Sequence, residues 1–177
     1  MIIFMGVAGG GKSTQGKLLA DELGLPWLST GEFFRMLVSG QDRRDMVKGK
    51  LLTDQQTIAL VHKVFGVINT KEEFILDGFP RTMPQAEWLL SQSKAGLLHI
   101  TAIFHITADE KAVEQRLLKR GRPDDTKAAI AERFDEYQAA VVPIVKKFAE
   151  AGVPVYEING EQAVAEVQGE IIKALEN

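Results

Sequence analysis

MIIFMGVAGGGKST, residues 1–14, is the stretch whose reading decides the fold. Met1–Met5 is an apolar run without polar alternation, the pattern of a parallel strand buried on both faces. Gly6 to Ser13 then fits G-x-x-x-x-G-K-[ST]. Gly9, Gly10 and Gly11 let backbone N–H groups approach phosphate oxygens closely, and a helix expected from Lys12 adds its N-terminal dipole. Lys12 can reach the β- and γ-phosphates, while the Ser13 or Thr14 hydroxyl suits Mg²⁺. The bland alternative is a glycine-rich turn with an incidental lysine. The loop by itself does not say where a phosphate goes, since switches, motors and kinases all use it.

Outward from that stretch, apolar runs alternate with helical patterns. Strands are expected at 1–5, 26–29, 73–77, 99–107 and 153–158. Helices are expected near 12–23, 31–38, 53–68, 83–93, 109–119, 126–149 and 161–175. Pro143 should kink or divide the long 126–149 segment. The last helix groups Val164, Val167, Ile171, Ile172 and Leu175 on one face. Strand–helix alternation throughout implies an α/β doubly wound parallel sheet, which binds ligands at the carboxyl ends of its strands.

Composition narrows the class. The 177 residues suit one compact domain, and 45% hydrophobic with 25% charged residues is an ordinary globular balance. A net charge of −3 argues against a broad nucleic-acid footprint. The absence of Cys excludes disulfides and thiolate zinc sites, and fits a reducing compartment. The apolar start is too short for a signal peptide or membrane span, so no membrane association and a cytoplasmic location are expected.

Four further motifs carry a resemblance: LSTGEFFR at 28–35, GKLLTD at 49–54, FILDGFPRTMPQAEWL at 74–89 and KRGRPDDT at 119–126. Together with the phosphate loop they resemble the adenylate kinase family, nearly end to end. That resemblance implies reversible phosphoryl transfer from ATP to AMP, with Mg²⁺ and without zinc, in a monomer whose partners are the two nucleotides. It implies a five-stranded sheet of order 2-3-1-4-5, with the core at 1–29, 61–118 and 127–177. A helical AMP-binding insertion at 30–60 and a minimal lid at 119–126 complete the expected layout.

Residue roles follow from the resemblance, each beside what the residue can do alone. Asp77 ends a buried strand, where a carboxylate is costly unless it meets a cation or donors. It is either a Mg²⁺-organising group, acting with Ser13 and partly through water, or a cap on the next helix. Arg81 and Arg35 resemble the family's arginines on the acceptor phosphate, an anion whose oxygens suit the bidentate guanidinium fork. Arg35 alone would read as a solvated helix residue. Gln85 matches the family's adenine-reading Gln, with an exposed helix residue as the alternative. Thr30 stands where adenylate kinases have Thr and UMP/CMP kinases have Ala, with a helix cap as the alternative. GFPRT, not GFPRN, also favours AMP. Gly31, Leu51, Leu52 and Gly78 would complete the AMP pocket with backbone near Lys50. The family often has a cis peptide before the motif's proline, so Phe79–Pro80 is expected cis.

By the same resemblance Gly9, Gly10, Gly11, Lys12, Ser13 and Thr14 hold ATP. Arg116 faces its adenine, Arg120, Arg122 and Arg133 its phosphates, and Gln162 belongs to the same site. Cations around a migrating phosphoryl group stabilise the charge on its oxygens. Alternatively Arg116 and Arg133 face water, paired with Glu114 or Glu136. Asp124 and Asp125 read as helix caps and hinge anchors. His62, His99 and His105 form no cluster near these motifs, and an anionic phosphate acceptor needs no general base.

Departures from the family are local. Only Gly121 separates Arg120 from Arg122, the insertion from Arg35 to Gly49 is trimmed, and no long zinc-bearing lid fits. A lid so short should shield the site less, giving ATP hydrolysis without AMP. Ala8, Ser13 and Glu32 stand where the family has Pro, Gly and Asp, with no expected loss of ATP binding. The other readings are a different nucleoside monophosphate kinase and a non-catalytic nucleotide-binding module.

Overall fold

The computed structural model describes residues 1–40, 44, 52–122 and 125–176. Its centre is a parallel sheet of five strands: β1 Ile2–Gly6, β2 Trp27–Ser29, β3 Ile75–Asp77, β4 Ala102–Thr107 and β5 Val155–Asn159. Their order is β2-β3-β1-β4-β5, as expected. Strand β1 runs between β3 and β4, with Phe4 beside both Asp77 and Phe104. A strand in that position meets protein on both faces, which is why residues 1–5 are apolar without interruption.

Alternate residues of β1 enter two different cores, following the two-residue period of a strand. Ile3 and Met5 join Leu28, Leu76, Ile103, Leu89 and Phe148 on one face. Ile2 and Phe4 join Leu19, Ile75, Phe104, Val167 and Ile171 on the other. The first face is covered by helices α4 (Met83–Lys94) and α7 (Val142–Glu150). The second is covered by α1 (Lys12–Leu23) and α8 (Val164–Leu175). Val164, the first residue of α8, departs from the expected apolar face and is 52% exposed.

Helices α2 (Thr30–Leu37) and α3 (Asp54–Phe65) follow β2, and α5 (Glu110–Arg120) and α6 (Lys127–Glu136) follow β4. The α3 start has a capping box between Thr53 and Gln56. The expected helix over 126–149 is divided, as Pro143 required. A π-helical turn, Tyr137–Val141, joins α6 to α7, and Pro143 lies in the first turn of α7. Proline has no N–H to donate and crowds the carbonyl four residues back, so the ladder widens ahead of it. Among the described residues, no helix is long and apolar enough to cross a membrane.

Candidate active site

The strand-to-helix loop lies at the carboxyl edge of the central strand. Gly6 ends β1 with φ 139°, and a Cβ there would fall 2.1 Å from the Ile106 carbonyl oxygen on β4. No residue but glycine is accommodated at Gly6, because contact and backbone conformation both forbid a side chain. Gly9 lies against α5, where a Cβ would fall 2.9 Å from Leu117 Cγ. The Gly10 N–H turns back to the Val7 carbonyl at 3.1 Å, and Gly11 precedes α1. The three glycines expected to approach phosphate thus form the turn between β1 and α1, with Gly9 seated on α5. Lys12 Nζ donates to the Val7 carbonyl at 2.7 Å. Desolvation is the main influence on this ammonium and lowers its pKa from 10.5 to about 8. Asp77 opposes that fall, while Arg81 and Arg120 add to it. The lysine is therefore still mainly charged at neutral pH, in surroundings that an anionic ligand would relieve.

Asp77 is the last residue of β3, and buried. Its Oδ2 accepts from Ser13 Oγ at 2.5 Å. The cap of α4 is Thr82, so Asp77 does not cap that helix and the alternative reading fails. A hydroxyl and a carboxylate oxygen beside a phosphate loop fit Mg²⁺, which takes one or two protein oxygens and fills its octahedron with phosphate and water. Thr14 follows on α1, exposed.

Beyond Asp77 the chain turns through Gly78, with φ 83°. A Cβ here would lie 2.9 Å from Thr30 Oγ1 and 3.1 Å from Arg81 Nη2. The missing side chain is what lets those two residues close on the turn. Thr30 Oγ1 donates to the Asp77 carbonyl at 3.2 Å rather than capping α2, whose cap is Ser29. Arg81 Nε donates to the Gly78 carbonyl at 2.8 Å. Gln85 is 3% exposed, which overturns the exposed-helix alternative. The Phe79–Pro80 bond is cis, as expected. Beneath α2 lies an apolar recess lined by Leu28, Thr30, Phe33, Phe34, Val61, Val64, Phe65 and Leu76. Gly31 is the second residue of α2, and half-buried Leu52 packs on the same core. Leu51, Lys50 and Asp124 lie outside the described residues, as does the side chain of Arg35.

The arginines are gathered by one carboxylate. The Asp125 side chain is fully buried. It accepts Arg120 Nε and Nη2 at 2.9 and 2.7 Å, the Arg122 backbone N–H at 3.1 Å and Arg133 Nη1 at 3.4 Å. Hydrogen bonding from Arg120 is the main reason its pKa falls below the ordinary 3.8, and burial opposes the fall. Asp125 is thus an anchor, and the helix cap expected of it is supplied by Thr126, which accepts from the Ala129 N–H. Arg133 pairs with this carboxylate, and Glu114 pairs with Lys127 at 3.3 Å. Arg116 is half-buried on α5, one turn before Arg120.

Two features of the site gave little sequence signal. Gly160 follows β5, and a Cβ on it would sit 2.5 Å from the Gly10 carbonyl oxygen and 2.6 Å from Ile106 Cγ2. This glycine is the back wall of the phosphate loop. Gly160→Ala is expected to displace the loop, lowering thermal stability by about 1–3 kcal/mol of overpacking and weakening ATP binding about tenfold or more in a titration. Unchanged ATP affinity would show that the loop is not braced there. Gln162 lies just beyond, its amide donating to the Asn159 carbonyl at 3.3 Å and to Glu170 at 2.9 Å. The second feature is His105, buried on β4 and hydrogen-bonded through Nε2 to the Tyr137 hydroxyl at 2.7 Å. Burial, aided by Lys12 and opposed by Glu157, lowers its pKa below 6.5 and keeps it neutral at pH 7. It joins the π-helical turn to the sheet.

Comparison with known proteins agrees with this geometry. The family model described as "Adenylate kinase" matches residues 4–153. The chain is 36% identical over 180 residues to "Adenylate kinase" of Prochlorococcus marinus (strain MIT 9211), covering 98% of this chain and 96% of the relative. It is 34% identical to "Adenylate kinase 1" of Synechocystis sp., covering 92% and 90% respectively. It is 31% identical to "Adenylate kinase" of Corynebacterium aurimucosum, covering 98% and 97%. The match runs from the phosphate loop through Asp77 to the arginines around Asp125, and the chain belongs to the adenylate kinase family of nucleotide-binding kinases.

Proposed function

We propose that this enzyme catalyses reversible, Mg²⁺-dependent transfer of the γ-phosphoryl group of ATP to AMP, giving two ADP. The observation that carries the reading is the pair of phosphate-suited groups meeting at Asp77. The glycine loop with Lys12 and Ser13 lies on one side; Thr30, Gly78, Arg81 and Gln85 lie on the other. In this reading 30–60 is the acceptor-binding insertion, 119–126 a minimal lid, and the rest the core. The ATP phosphates occupy the loop of Gly9, Gly10 and Gly11, and the AMP phosphate meets Arg81 and Arg35. The acceptor base lies near Thr30 and Gln85, between Gly31, Leu51 and Leu52.

Ser13 and Asp77 would hold Mg²⁺, which draws charge from the donor phosphates. Lys12 follows the migrating group with its ammonium. Arg122 and Arg133 neutralise the charge that develops on its oxygens, with Arg120 and Arg116 on the donor nucleotide and Gln162 at its edge. These residues position and stabilise rather than transfer protons. The acceptor oxygen is already anionic, and buried, Tyr137-bound His105 is not needed as a base. The enzyme works as a cytoplasmic monomer.

ADP formation from ATP and Mg²⁺ with AMP, UMP, CMP, GMP or dAMP tests the acceptor. Strong transfer to AMP is expected; a preference for a pyrimidine or guanine acceptor would overturn the roles of Thr30 and Gln85. The short link between Arg120 and Arg122 should also allow water in, so phosphate release from ATP without AMP is expected above background. A release rate negligible beside transfer would mean the site is fully shielded.

A further inference from the structure

The amide of Gln85 has a fixed direction, and the residue that fixes it lies in another element. A glutamine amide has nearly the same shape after a half-turn about its last bond, so its orientation is decided by hydrogen-bond partners. Here Oε1 accepts the backbone N–H of Arg81 at 2.8 Å, and Nε2 donates to Asp54 Oδ1 at 2.8 Å. A half-turn would set Oε1 against a carboxylate and Nε2 against an N–H. Two hydrogen bonds would become two repulsions at a residue 3% exposed. Asp54 is itself held in place. Thr82 Oγ1 donates to its Oδ1 at 2.6 Å, and Asp54 occupies the first position of α3, between the capping-box residues Thr53 and Gln56.

We infer that Asp54 is a positioning residue for acceptor choice: by locking the Gln85 amide it selects a 6-aminopurine over a 6-oxopurine. The inference rests on the AMP reading above. A primary amide has two N–H bonds and two lone pairs on oxygen. Asp54 and Arg81 take one of each, leaving one donor and one acceptor. A 6-aminopurine edge presents an acceptor at N1 and a donor at its 6-amino group, which that remainder satisfies. A 6-oxopurine presents the reverse, a donor at N1 and an acceptor at O6. Only a turned amide would satisfy it, and the carboxylate of Asp54 forbids the turn. A site built to bond one polar pattern rejects the reversed one strongly, since buried groups would be left unpaired.

Asp54→Asn keeps the shape and the contact with Thr82, but its amide can face either end of Gln85. The test is kcat/KM with AMP and with IMP for the wild type and Asp54→Asn, with thermal melting of both. The expected result is a fall of about tenfold or more in the AMP:IMP ratio. Loss of activity by the same factor with both acceptors would make Asp54 merely structural and overturn the inference, as would an unchanged ratio. Should Asp54→Asn fold poorly, Thr82→Val removes the bond that steadies Asp54. It should move the ratio the same way by a smaller factor, and an unmoved ratio there overturns the inference too. A wild type that prefers IMP or a pyrimidine to AMP would instead bring down the acceptor reading itself, and the inference with it.

Discussion

Replacing Lys12 by methionine is expected to lower kcat for phosphoryl transfer by about 10²–10³-fold, the effect of losing one preorganised charge at a developing anion. The fold should survive, and unliganded stability should stay equal or rise. The reason is the cost of holding the ammonium where desolvation lowers its pKa from 10.5 to about 8. The folded chain binds that proton more weakly than the unfolded chain. Below about pH 8 the native state carries the penalty in full; stability then rises as pH climbs from about 8 to 10.5, above which the penalty is gone. Subtracting the variant's stability–pH curve from the wild type's should leave that rising limb. A variant that is inactive and much less stable would show that Lys12 supports the fold, contrary to this argument. Full activity would remove the loop from the chemistry.

Asp125→Asn is expected to have the largest effect on stability and a second large effect on rate. Its carboxylate is fully buried among donors from Arg120, Arg122 and Arg133. Removing one partner of a fully buried pair costs about 3–5 kcal/mol. Here Arg120 and Arg133 remain 33% and 21% exposed and can rehydrate, so about 1–3 kcal/mol is expected. The contribution has a defined pH window. Its folded pKa lies below 3.8, so the stabilisation is complete above that value and disappears as pH falls through the lowered one. Chemical denaturation at pH 7 and at pH 3 should therefore show a smaller gap between wild type and variant at the acid end. Released arginines should also lower kcat by about 10²-fold. A stability loss with unaltered kcat would confine Asp125 to the fold.

Both residues could be found from sequence, but their roles were not equally legible there. Lys12 is placed by a loop whose glycines and strand–helix context are encoded within a dozen adjacent residues. Asp125 is visible in the sequence as an acid before a helix, which reads as a cap and hinge anchor. The cap belongs to Thr126, because Asp125 is turned inward by guanidinium groups from two helices. Thr30 and Gln85 likewise meet partners outside their own helices, which no local pattern shows.

From the sequence by itself came the strand–helix alternation, the phosphate loop, the break at Pro143 and the identities of the charged residues. These depend on apolar period, turn chemistry and missing N–H groups, which act over a few neighbouring positions. Tertiary structure alone decided that Gly9 rests on Leu117, that Gly160 backs Gly10, that Ser13 meets Asp77 across 64 positions, and that Asp54 holds Gln85 across 31. Such contacts depend on parallel register and helix packing, which bring distant residues to one sheet edge with no periodic mark in the chain.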